Sequence, residues 1–437
     1  MTRSMSRSCV QSTCKSMSFF KTTFLNGLAV LIRLLCFLGI NKVIAIYVGP
    51  SGYAAVGQFQ NVIQVVTTLG SGAISNGVTK YTAEYREDEA RQAQLWSTAC
   101  CFSLLLAISL SLLILLLSTN FSILVFGDET YSDIFVWLGL GLVFFVGNGI
   151  LLAILNGKRD IPSYVLANIL GSTLSLLTTY LLVVAIGLKG ALISLSIYQS
   201  IAFISTLAIC LTRPWFLVSK FFHCPSYAML LDLLKFTAMA MASAAFVPVC
   251  QILVRTHLAN VFGSDLAGYW EAMNRLSSSY LLLLTATLSV YFLPKFSETV
   301  ELSRLKDELL KCLIFVFAAT IFLAGALYIM RGFVISFLFD ESFFGMEVLF
   351  PWHLAGDIFK MLGWVYGFLL LSKARYKAFI VLEAIYALGV YWATVLYVDE
   401  FGFVGAAVSH FTVSLVYLIA ASGFVHLAVV EEKQNNA

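Results

Sequence analysis

The chain has 437 residues, of which 60% are hydrophobic and only 12% charged. A soluble domain carries about 25% charged residues, so this density cannot coat water-facing domains of such length, and the apolar surface has to meet lipid. The net charge of +3, with no basic stripe on any polar segment, leaves no footprint for nucleic acid.

The first 23 residues hold Arg3, Arg7, Lys15 and Lys21. The apolar run behind them is longer than the roughly 7–15 residues of a signal-peptide core and has no A-x-A exit. This predicts a cytoplasmic tail over 1–23 leading into a retained helix. Residues 1–16 are polar and patternless, which makes Met17 an alternative start.

A bilayer core takes about 20 mostly apolar residues per helix. Twelve such runs follow one another: 24–47, 57–79, 95–117, 134–157, 162–185, 188–211, 236–256, 267–293, 311–330, 346–372, 377–398 and 403–427. The breaks carry turn chemistry, as in Gly49-Pro50-Ser51-Gly52, Gly127-Asp128, Arg159-Asp160-Ile161-Pro162, Pro225-Ser226 and Asp399-Glu400-Phe401-Gly402. The expectation is an all-α integral membrane protein of about twelve helices. Its two six-helix lobes span 24–211 and 236–427, joined by a cytoplasmic linker over 212–235 and followed by a cytoplasmic tail over 428–437.

Lys and Arg in the loops orient the chain. With the N-terminus in the cytoplasm, twenty of the 27 basic residues fall on cytoplasmic segments, and only Lys189, Arg255 and Arg331 fall on outer ones. One missed helix would invert the alternation downstream of it. Both termini are therefore expected in the cytoplasm.

The sequence also repeats itself. Gly187-Leu-Lys-Gly190-Ala191-Leu-Ile-Ser194 and Gly402-Phe-Val-Gly405-Ala406-Ala-Val-Ser409 share the pattern G-x-x-G-A-x-x-S. The same offset carries Lys80 onto Lys295 and Lys158 onto Lys373. This predicts a duplicated six-helix unit in parallel orientation, a plan in which substrate binds between pseudo-symmetric halves.

Catalytic patterns are missing. Asn156-Gly157-Lys158-Arg159 is the nearest approach to a phosphate loop, and Leu152 stands where its first Gly belongs. No long outer loop offers room for a glycosyltransferase, polymerase or ligase. The nine cysteines form no C-x-x-C pair, and most, such as Cys36, Cys210, Cys250 and Cys312, sit in apolar runs as small hydrophobes. No metal set, cofactor or enzymatic activity is expected.

Charges at membrane depth cost about 2.5–3.5 kcal/mol or more unless paired or wet, which makes each a site hypothesis. Asp357 and Lys360 share a helix face at i, i+3, either as a pair on a helix seam or as a cavity pair in which protonation of Asp357 frees Lys360. Glu271 and Arg275, beside Trp270, read as an interfacial structural pair or as a sugar-contacting edge with Glu271 in a gating role. Arg33 stands near mid-membrane and is expected to line a wet cavity. Lys42 is about 180° from it around a straight helix, so it either snorkels or joins Arg33 through a bend at Gly39. Glu383 lies near Lys373-Arg375-Lys377 and reads as their ion-pair partner. Basic groups in a cavity suit an anionic headgroup such as a lipid diphosphate, whose outward passage an inside-negative potential favours by roughly 2.3 kcal/mol per charge per 100 mV.

Four stretches carry a family resemblance: Gly49-Pro50 after a helix with Arg33 and Lys42, Asn76-Gly-Val-Thr-Lys-Tyr81, Ser289-Val-Tyr-Phe-Leu-Pro294, and Gly356-Asp357-Ile-Phe-Lys360. From about Met17 to its end the chain resembles Wzx-type flippases of the polysaccharide transport family, in the MOP exporter superfamily, whose members include translocases of O-antigen and of enterobacterial common antigen. Arg275 and the residues before Met17 depart from the pattern. The resemblance implies a two-lobed, MATE-like bundle in the bacterial inner membrane. It implies that undecaprenyl-diphosphate-linked oligosaccharide crosses by alternating access, with a proton or cation gradient and the pathway's polymerase and chain-length regulator as partners. Arg33, Lys42 and Asp357 stand where such flippases also carry such charges; from the intramembrane charges themselves, substrate-binding roles are expected for Arg33, Lys42, Arg275 and Lys360, and coupling or gating roles for Asp357 and Glu271. A multidrug exporter of the same superfamily is the first alternative, and would favour acidic cavity groups. A membrane polysaccharide polymerase or ligase is the second, and would need a long outer loop.

Overall fold

The computed structural model describes the backbone of residues 2–299, 301–373 and 375–435. The side chains of 2–30, 222, 235–245, 290, 302, 376 and 427–435 lie outside what it describes, and with them the expectations placed on the tail 1–23, on Met17 and on the tail 428–437.

Fourteen helices account for nearly all of the described chain. They are α1 (Thr2–Ser71), α2 (Ser75–Glu84), α3 (Glu89–Leu116), α4 (Ser118–Phe126), α5 (Ser132–Gly157), α6 (Ile161–Leu211) and α7 (Tyr227–Phe262), followed by α8 (Ser264–Thr287), α9 (Leu293–Glu298), α10 (Leu302–Ile329), α11 (Arg331–Leu338), α12 (Phe350–Ser372), α13 (Tyr376–Phe401) and α14 (Gly405–Asn435). Among the described residues, seven stretches are long and apolar enough to cross a bilayer. Three of these are double, turning at Gly49, Gly187 and Gly402, where φ is positive. With α7 and α8 they make up the twelve membrane-length segments that the hydropathy predicts. Leu105, Leu116, Phe322 and Ile329 are among the large apolar side chains left outward-facing, as a lipid-contacting surface requires.

The turn at Gly49 (φ 71°, ψ −176°) takes a conformation that a side chain resists, and Pro50 then opens the next helix, where its missing N–H is no loss. Between α8 and α9 the helix widens into a π-helical stretch, Leu288–Phe292, before Pro294. A proline ring displaces the carbonyl one turn back, and a widened turn accommodates that.

The repeat seen in the sequence has a shared geometry. Gly187 (φ 57°, ψ −133°) and Gly402 (φ 61°, ψ −149°) turn the chain in the same way. At Gly190 an added Cβ would overlap the carbonyl of Leu182, and at Gly405 that of Tyr397, so both corners depend on close backbone contact. Ser194 and Ser409 each donate to the carbonyl three residues back, at 2.7 and 2.8 Å. Lys158 and Lys373 are the C-cap residues of α5 and α12.

The chain resolves into two compact units. The first comprises residues 1–43 and 66–238, and its interior is built around Trp96, Phe135, Leu155 and Cys210. The second comprises 44–65 and 239–437, with Phe296, Phe343, Phe350 and Tyr417 among its fully buried side chains. Residues 44–65, from the middle of α1, pack within the second unit.

Candidate functional site

In the first unit a cavity of about 200 Å³ opens among α1, α5 and α6. Arg33, exposed, stands on its wall with Asn148, Asn168, Ser172, Ser175 and Tyr198. No carboxylate lies within ion-pair distance of Arg33 among the described residues. A guanidinium without an internal counter-charge, surrounded by carboxamides and hydroxyls, is a receptor for an anion carrying polar substituents. Lys42 is half-buried and does not line this cavity. The helix from Arg33 to Lys42 is unbroken at Gly39, so the bend that would have joined the two is absent.

In the second unit Asp357 is completely buried in α12. Ser277 and Tyr280, both on α8, donate to its Oδ2 at 2.6 and 2.7 Å. His410 Nε2, on α14, lies 3.0 Å from Oδ1, and the Tyr386 hydroxyl lies 3.0 Å from His410 Nδ1. With Nε2–H donating to the carboxylate, Nδ1 accepts from Tyr386, and the chain of donors runs in one direction toward Asp357. This corrects the expected Asp357–Lys360 pair. Although i, i+3, the Lys360 ammonium turns instead to the rings of Tyr386 and Trp364, at 5.0 and 5.3 Å from their centroids. Lys360, His353, His410, Tyr386, Asn274 and Gln251 enclose a second cavity of about 50 Å³, enough for a few waters.

His353, Asp357 and His410 bring three ligand atoms within 4.8 Å of one another. Their geometry does not suit a metal. The two imidazoles stack at 4.2 Å with planes only 14° apart, so their in-plane lone pairs run side by side and do not converge on one ion. His410 Nε2 is also already engaged by Asp357.

A second buried charge cluster joins α7, α8 and residues 44–65. Glu271 holds Arg255 through Oε2 and Arg275 through Oε1, the latter at 2.7 Å. Each guanidinium also donates to one glutamine of the 44–65 segment: Arg255 to Gln58 at 2.8 Å, Arg275 to Gln60 at 2.5 Å. Each lies against an aromatic ring, Trp270 for Arg255 and Tyr53 for Arg275. Gly57 leaves the space that the Glu271 carboxylate fills, and Gly268 lets the Pro50 carbonyl approach. Glu271 and Arg275 thus form the expected i, i+4 ion pair, and it is buried in the protein core. Arg255, which loop counting places in an outer segment, is buried with them.

Glu383 accepts from the Tyr417 hydroxyl at 3.4 Å and forms no ion pair with Lys373, Arg375 or Lys377 among the described residues. At the α5–α6 turn Lys158 bonds Gln92 and lies over Trp96 and Trp215, while Lys220 pairs with Glu89 at 3.0 Å. Burial, and next the nearby Lys220 charge, lower the Lys158 pKa.

Sequence reasoning missed Asn148, Gln199, His353, His410, Gln58 and Gln60. All are polar residues inside apolar runs, the only trace they leave in a sequence dominated by hydrophobic side chains.

Comparisons place this geometry among known proteins. The chain is 28% identical over 408 residues to the lipid III flippase of Escherichia coli (strain K12), covering 93% of this chain and 98% of the relative. It matches the lipid III flippase of Shigella flexneri to the same extent. In structure it is similar to an inward-facing multidrug resistance MATE family transporter of the MOP superfamily (TM-score 0.78, 16% identity, 93% of this chain and 96% of the other). It is also similar to the lipid II flippase MurJ in an inward closed conformation (TM-score 0.70, 14% identity, 93% and 87%). These likenesses establish the two-lobed helical fold of a multi-pass membrane protein. The family model described as polysaccharide biosynthesis protein matches residues 19–300, and the chain belongs to that family.

Proposed function

We propose that this protein is a flippase that carries a lipid-diphosphate-linked oligosaccharide from the cytoplasmic to the periplasmic leaflet of the bacterial inner membrane, and that it has no catalytic chemistry of its own. The observation that carries the reading is the cavity around Arg33: an uncompensated cation in a polar recess, inside a chain whose relatives over nearly full length are named lipid III flippases. Arg33 binds the diphosphate by charge-assisted hydrogen bonds. The surrounding amides and hydroxyls replace the hydration of polar groups that must otherwise cross about 30 Å of hydrocarbon. Both termini and the linker 212–235 face the cytoplasm in this reading.

The Asp357 network serves as the element whose protonation or rearrangement biases the access states, driven by a proton or cation gradient. Lys360 responds to it through Tyr386 and His410, not by direct pairing. Arg275 and Glu271 hold residues 44–65 and act on gating, not on substrate. Lys42 contacts the headgroup only in a state that differs from this one. The pathway's polymerase is the partner that receives the product.

The test is flipping of an undecaprenyl-diphosphate-linked oligosaccharide in proteoliposomes, wild type beside Arg33→Ala. Flipping by the wild type and its loss in the variant at equal reconstitution supports the reading. Equal flipping in both overturns the role of the cavity, and no flipping by the wild type overturns the function.

A further inference from the structure

The wall of the Arg33 cavity is not only cationic. Asn148, on α5, is 3% exposed. Its Nδ2 donates to Gln199 Oε1 at 2.7 Å, and Gln199 Nε2 in turn donates to the Tyr198 hydroxyl at 3.2 Å. This ordered chain leaves Asn148 Oδ1 as a buried acceptor with no partner. Asn168, on α6 and on the same wall, is oriented alike: its Nδ2 donates to the Tyr164 carbonyl at 2.7 Å. Each carboxamide thus gives one N–H to the protein, and neither carbonyl oxygen has a protein donor among the described residues.

A buried acceptor without a donor is unfavourable, and a ligand that brings the donor recovers that loss. Phosphate at neutral pH has acceptors and almost no donors, so it satisfies Arg33 but not Asn148. The complementary group is one rich in O–H or amide N–H. We propose that Asn148, assisted by Asn168, is a specificity-determining residue that receives the hydroxyl or acylamino N–H donors of the sugar directly linked to the diphosphate. The inference rests on the flippase reading and deepens it. Arg33 reads the charge common to every lipid diphosphate, and the carboxamides distinguish a glycosylated headgroup from a bare one. The volume of about 200 Å³ suits one phosphate-linked sugar ring and leaves the remainder of the oligosaccharide outside this recess.

The experiment measures binding of two probes to protein in nanodiscs: a polyprenyl diphosphate without sugar, and the same lipid carrying one N-acetylhexosamine. The wild type is expected to bind the glycosylated probe about tenfold more tightly, the worth of a satisfied buried hydrogen bond. Asn148→Leu should abolish that preference by weakening the glycosylated probe about tenfold more than the bare diphosphate. Arg33→Ala should weaken both probes. Asn168→Leu, at a half-buried position, should reduce the preference in part, and it replaces Asn148→Leu if that variant does not fold. Equal affinities of the wild type for both probes overturn the proposal while leaving the flippase reading intact. So does an equal loss for both probes in the asparagine variants, or no loss for either. Failure of the wild type to bind either probe overturns the flippase reading itself.

Discussion

The guanidinium of Arg275 lies 4.7 Å above the ring centroid of Tyr53, linking α8 to the middle of α1. Two arginines share one carboxylate in this cluster, so its formal charge is positive. The aromatic faces and the two glutamine carbonyls accommodate the surplus. Tyr53 is itself fixed, packing edge-on against Phe343 at 5.4 Å and Phe339 at 5.8 Å.

Removing the shared carboxylate therefore strands two buried cations. Glu271→Ala is expected to destabilise the protein by about 3–5 kcal/mol, visible as lower detergent-extracted yield and a depressed thermal transition. Gln60→Leu, which removes one acceptor of several, should be milder. A Glu271→Ala protein with wild-type thermal stability would contradict the cluster's structural role.

Asp357→Asn keeps the shape of the side chain and removes the charge that Ser277, Tyr280 and His410 surround. Hydrogen bonds to a charged group are worth about 1.5–3 kcal/mol each, so flipping should fall by more than tenfold at normal membrane abundance. Glu383→Gln, which can keep the hydrogen bond from the Tyr417 hydroxyl, should transport like the wild type. Equal flipping by Asp357→Asn and Glu383→Gln would remove Asp357 from the mechanism.

Arg33→Lys is a sharper probe of the first cavity than alanine. Lysine retains the charge and loses the forked donor geometry. Headgroup binding should weaken by about tenfold, less than for Arg33→Ala, as a single ammonium replaces a bidentate contact. A titration with lipid diphosphate distinguishes the three proteins.

The two glycine corners should respond alike. Gly190→Ala and Gly405→Ala each force a methyl group against a backbone carbonyl, a displacement of the overpacking kind that costs about 1–3 kcal/mol. Matched losses in thermal stability are expected. A tolerant Gly405 beside an intolerant Gly190 would break the equivalence of the corners.

Topology is testable on a cysteine-free background. Cysteines placed at Ser303 or Arg304 should resist an impermeant thiol reagent in intact cells, while one at Glu129 should react. Labelling at Arg304 would reverse the orientation or change the helix count.

The twelve segments and the duplication were legible because lipid imposes length and apolarity on every crossing, and because Gly187 and Gly402 announce their turns. Arg33 was legible as an isolated mid-helix cation. The partners of Asp357 were not. Spacing pairs it with Lys360, yet Ser277, Tyr280 and His410 reach it from other helices, and helix–helix register leaves no local signature. Arg255 misled for a related reason: near the end of an apolar run, a loop arginine and a buried one look alike until Glu271 and Gln58 stand beside it.

The buried arginine cluster also bears on how the protein is made. α8 carries Asp265, Glu271 and Arg275, and alone in a bilayer such a helix would be a poor candidate for insertion. Its neutralising groups come from α7 and from residues 44–65, both synthesised before it. Vectorial synthesis from the ribosome thus delivers the acceptors first and the charged helix afterwards, into a membrane where its partners already wait. A circular permutation that moved residues 44–65 to the end of the chain would keep every native contact available and still remove that order. α8 would then have to enter the bilayer with part of its charge unanswered.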